Sequence, residues 1–143
     1  MKRILMLAFA AALTMGASAC QDTTSPGAVL SGTYTLQSIN NVPPPVVIYQ
    51  DPTVTREAIG GQIQINRDGT FTDVVTYRDT PAGGYPGAPY NDTIYGTWSL
   101  SGNTLQFNDA NNVNNTYYAT VSGSELVFVN YASGTSYTTV YSK

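Results

Sequence analysis

Few side chains in this 143-residue chain could do chemistry. Histidine is absent, and Cys20 is the only cysteine. A Ser-His-Asp or Cys-His nucleophile system therefore has no base, and the usual His or Cys zinc sites have no ligand set. Glutamate occurs only at Glu57 and Glu125, and most aspartates stand in turn sequences, so nothing marks the facing carboxylates of a glycosidase. No glycine-rich phosphate loop opens a helix. Residues 109–115 are rich in side-chain oxygens, but they lack the glycine and closing glutamate of an EF-hand loop and read as an Asn-rich hairpin loop. The chain thus reads as a non-enzyme with no cofactor and no metal. Asp73 is the most informative polar residue. It falls in the alternating row Phe71, Asp73, Val75, Tyr77, where a carboxylate costs several kcal/mol unless it is paired or hydrated. Either Asp73 points inward, lining a wet cavity and orienting a polar group of a ligand, or a bulge at Asp73-Val74 turns it out to solvent.

The elements that position these residues read as strands. Ile59-Gly60-Gly61-Gln62-Ile63-Gln64-Ile65 places Ile59, Gly61, Ile63 and Ile65 on one face. A turn of Arg67-Asp68-Gly69 follows, then Thr70-Phe71-Thr72-Asp73-Val74-Val75-Thr76-Tyr77. A three-residue loop with Gly69 left-handed pairs Asn66 with Thr70 and Ile65 with Phe71, which keeps the apolar face whole. Further runs with the same grammar start at Gly32, Val46, Thr93, Thr104, Tyr117, Leu126 and Tyr137. Residues 53–57 read as a loop or one helical turn, and residues 78–90, rich in Gly and Pro, as the longest loop. Eight to nine short strands joined by turns, with no convincing helix, make an all-β antiparallel meander. Such a sheet escapes its edge problem by closing, so an up-and-down β-barrel is expected, with a two-sheet sandwich as the second solution.

The first residues are an address. Met1-Lys2-Arg3 is basic, residues 4–15 are apolar but too short to span a bilayer, and Ala17-Ser18-Ala19 precedes Cys20. This resembles a bacterial lipoprotein signal, in which the cysteine takes acyl chains of the palmitate kind and becomes the new N-terminus. Ala-Ser-Ala also suits the ordinary signal peptidase, which would leave Cys20 a free thiol. Gln21 after the cysteine implies, within that resemblance, the outer membrane facing the periplasm. The expected organisation is a signal peptide over 1–19, a lipidated Cys20 and flexible tether over 20–31, and a barrel domain over 32–143. Only 10% of residues are charged and the formal net charge is −3, so the basic footprint of a nucleic-acid binder is missing.

Gly32-Thr33-Tyr34, the Arg67-Asp68-Gly69-Thr70-Phe71 hairpin, and Gly96-Thr97-Trp98 ahead of Ser101-Gly102-Asn103-Thr104-Leu105 resemble small bacterial lipocalin-like lipoproteins over residues 32–141. The resemblance implies a cup for a small molecule or lipid. In that reading Cys20 ties the protein to the membrane, Tyr34, Asp73, Tyr77, Trp98 and Phe107 are the ligand-binding candidates, and the loop bearing Tyr85 and Tyr90 is a lid. The alternative is a barrel filled by its own side chains that works through its surface as an envelope protein-interaction module, an inhibitor or assembly factor, with Tyr85 and Tyr90 meeting the partner.

Overall fold

The structure is a computed structural model that describes residues 25–132 and 135–143; Cys20 and the segment before it lie outside the described residues. Nine strands follow one short helix: α1 (Pro26–Leu30), β1 (Gly32–Ile39), β2 (Val46–Gln50), β3 (Val54–Ile65), β4 (Thr70–Pro81), β5 (Tyr90–Ser101), β6 (Thr104–Asp109), β7 (Thr116–Ser122), β8 (Glu125–Ala132) and β9 (Thr135–Ser142). All neighbours are antiparallel. The sheet runs β1-β9-β8-β7-β6-β5-β4-β3-β2, and a β1–β3 pairing closes eight of these strands into an up-and-down barrel. The ninth, β2, stays outside the ring as a partner of β3.

The central hairpin has the register its apolar face demands. Asn66 N–H donates to the Thr70 carbonyl at 2.9 Å, Ile65 stands opposite Phe71, and Gly69 is left-handed at φ 85°. Residues 54–57 are strand rather than loop or helix, because β3 pairs with β4 on one side and β2 on the other. The expected inward position of Ile59 is corrected as well. The register shifts between Ala58 and Gly60, so Ile59 is an extra residue and Ala58, 1% exposed, takes the inward place opposite Tyr77. The bulge therefore lies on β3, not at Asp73-Val74, and the β4 ladder is continuous through Asp73 on both sides.

The barrel has two unlike ends. At the end of the β3–β4 turn, Tyr34, Ile63, Ile65, Phe71, Leu105, Phe107 and Leu126 are fully buried. Phe107 meets Phe71 edge-on at 4.9 Å and stacks on Tyr117 at 5.2 Å. Residues 25–31, assigned by composition to the tether, fold over this end. Ser25 caps α1 through Ala28 N–H, Pro26 opens it, Leu30 is buried, and its carbonyl accepts from the Tyr34 hydroxyl at 3.0 Å. At the other end β3, β4 and β5 run on past the ring. There Arg56 pairs with Asp79 and Arg78 with Glu57 directly across the strands. Both pairs are partly solvated, so water screens them and each adds little to stability.

β5 can lie this close to β6 because residue 96 has no side chain: a Cβ there would overlap the Asn108 carbonyl oxygen. Gly96→Ala is expected to lower unfolding free energy by at least about 2 kcal/mol in urea denaturation. A loss under about 0.5 kcal/mol would show that the two strands are not so tightly apposed.

Candidate functional site

The open end holds a cavity of about 530 Å³, a volume typical of small-ligand pockets. It exists because the seam between β1 and β3 is short. β1 pairs with β3 only through residues 32–35, then diverges toward β9, while residues 55–58 of β3 pair with β2. Leu36 and Ile39 of β1 and Val46, Val47 and Ile48 of β2 line the space so created. Ala58, Val75, Ile94 and Phe128 continue the apolar wall. Tyr77, Tyr117, Tyr137 and Tyr141 add rings with polar tips. Asn40 reaches the rim from a left-handed turn that is tied to β9, its side-chain oxygen accepting from Thr138 N–H at 2.9 Å.

Asp73 lines this cavity, inward and opposite Ile63 and Ile94. Among the described residues its Oδ1 is buried without a hydrogen-bond partner, and so is the Tyr117 hydroxyl. The hydroxyl interacts with the carboxyl across the cavity but closes no hydrogen bond of ordinary geometry. Burial pushes the Asp73 carboxyl up to about 7, Asp92 on the neighbouring strand adds to the rise, and Tyr117 offsets part of it. Burial and the same two acids raise Tyr77 to about 12. Tyr117 and Tyr141 are also pushed up, by burial first and the Asp73 charge second.

The sequence candidates separate. Asp73 and Tyr77 line the cavity. Tyr34, Phe107 and Trp98 point inward as expected but lie outside its lining. Tyr34 and Phe107 are in the packed end, and Trp98 donates its indole N–H to the Asn66 carbonyl at 3.0 Å, beside α1. Tyr85 is 93% exposed, and no residue of 82–89 reaches the cavity wall. Tyr90 packs on Tyr77 at 5.9 Å, sits under the Arg56 guanidinium, and donates to Asp79. Cys20 lies outside the described residues. One end of the barrel is filled by its own side chains and the other is hollow. Sequence reasoning missed Tyr117, Tyr137 and Tyr141. The signal was present, since odd positions of Tyr117-Tyr118-Ala119 and of Tyr137-Thr138-Thr139-Val140-Tyr141 alternate inward.

A closed eight-stranded meander is consistent with what the comparison with protein families returns. A model described as a lipocalin-like domain matches residues 30–128. The chain belongs to the lipocalin-like domain family. That fold is generally a binding fold rather than an enzymatic one. No curated protein and no solved structure matches the chain. Within this lipocalin-like barrel the residues 109–115 loop satisfies itself: Asp109 accepts from Asn111 N–H at 2.8 Å and from the Asn115 side chain at 3.1 Å.

The position of Asp73 sets a pH dependence. Its folded value, about 7, lies above the ordinary carboxylate value near 4, so the fold favours the protonated form. That contribution is complete below about pH 4 and is lost as pH rises through about 7, by at most about 4 kcal/mol. Asp73→Asn is therefore expected to gain stability relative to the parent as pH rises from about 4 to about 7 in urea denaturation. A difference that stays constant across this window would contradict the buried-acid assignment.

Proposed function

We propose that the protein binds one small, largely apolar molecule in the open half of the barrel, and that a lipid on Cys20 ties it to the outer membrane of a bacterial envelope. The observation that carries the binding reading is the cavity, walled by Leu36, Val46, Val75, Ile94 and tyrosine rings, with one carboxyl whose Oδ1 is buried without a hydrogen-bond partner. Wall area of this kind supplies affinity, and a few polar groups supply orientation. Among the described residues no pair in the wall makes a nucleophile with its base, which favours a carrier or receptor over an enzyme.

The tether reading rests on the leader sequence and on Cys20 at its end. It also fixes an orientation. The chain from Cys20 to Ser25 spans at most roughly 18 Å, and Ser25 begins the helix that covers the packed end. A lipid at Cys20 would thus hold the packed end near the membrane and turn the cavity away from it.

Two measurements test this. The neutral dye N-phenylnaphthylamine is expected to bind with a fluorescence increase, and Val75→Phe, which puts a ring into the cavity, to weaken it at least tenfold. Equal dye binding by both proteins would place the dye elsewhere. Cys20→Ser is expected to move the protein from the membrane fraction to the soluble envelope fraction. Retention in the membrane would remove the lipid anchor from the account.

A further inference from the structure

We infer that the cavity takes a cationic amphiphile, a protonated amine on an apolar chain, with the ammonium group against Asp73 and the rings of Tyr77, Tyr117, Phe128, Tyr137 and Tyr141. This rests on the small-molecule reading above and adds the sign and chemistry of the ligand's polar end. Four observations converge on it. The carboxyl has a buried oxygen with no partner, and buried polar groups are nearly always partnered. The unpartnered Tyr117 hydroxyl lines the same cavity and can accept a second N–H. Five aromatic rings line the cavity that holds this carboxylate, and desolvated ammonium groups favour such surroundings because the ring faces are negative. Among the described residues no Lys or Arg lines the cavity, and Arg56 is engaged by Asp79. A fatty-acid carboxylate would therefore meet Asp73 with nothing to neutralise it.

Among the described residues the groups facing Asp73 include no cation: the Asp92 charge raises it and the Tyr117 hydroxyl offsets part of that rise. Asp92 comes from β5, Tyr117 from β7, Tyr137 and Tyr141 from β9, and Tyr77 from β4 itself; the lining residues of β1, β2, β3 and β8 carry no charge. In the empty protein the carboxyl is half protonated near pH 7, so an ammonium ligand must displace that proton. Its affinity should rise with pH through this range while the amine itself stays charged.

Calorimetry on the full-length protein with octylamine, octanol and octanoate separates the cases. At pH 8 octylamine is expected to bind at least tenfold more tightly than octanol, with octanoate weakest. Lowering the pH to 5 should weaken octylamine by up to about a hundredfold and leave octanol nearly unchanged. Asp73→Asn should cost octylamine at least tenfold, keep octanol within about threefold, and abolish the pH effect. Octanol and octylamine bound equally would overturn the ammonium assignment while leaving the apolar cavity standing. Octanoate bound most tightly would overturn it too. If none of the three binds, both the assignment and the small-molecule reading fail.

Discussion

Everything distinctive about this barrel follows from a seam that closes over only part of its length. Residues 32–35 of β1 pair with residues 62–65 of β3, and there the ring is complete. Beyond that point β1 is committed to β9 while β3 turns to β2, so the wall is open on one side and its apolar residues have less to pack against. The completed half fills with Phe71, Phe107, Ile63 and Leu105 and is sealed by α1. The incomplete half is left hollow. Bulge, flap and cavity are consequences of that one divergence: the extra residue at Ile59 lets β3 change partner without moving Ile63 and Ile65 off the core.

The same divergence explains how a carboxyl comes to sit among tyrosines. β4 keeps its register through Asp73, so the side chain has no route outward. The protein tolerates this by holding the acid largely protonated below neutrality, with the cavity in front of it. Gly61 contributes space: a Cβ there would stand 3.2 Å from the Tyr141 hydroxyl, at the boundary between the packed and hollow halves. Local rules of packing are relaxed at one place, and that place is where a ligand would have to be held.

Much of the fold was legible because its signals are local. The Asp-Gly turn together with the Ile63, Ile65 and Phe71 face fixes one register, and the alternation of later segments gives the meander and its closure. Short α1 was not legible, since Pro26-Gly27-Ala28 has the composition of a linker and is ordered by Leu30 and Tyr34. The bulge at Ile59 was not legible either, because Gly60-Gly61 permits it without requiring it. The site was half legible. Alternation shows that Tyr34, Asp73, Tyr77, Trp98 and Phe107 all point inward, but not how far along the barrel each lies. Depth depends on strand stagger and on where β1 leaves β3, which are properties of the closed sheet and not of any one segment.

The central claim is a hollow half-barrel with one buried, inward acid. A carbon-detected NMR titration of the Asp73 side-chain carboxyl tests it most directly. The account expects a midpoint of about 7, carried by burial and by Asp92. A midpoint near 4 would mean that the carboxyl is hydrated or paired, and the cavity as described here would not exist.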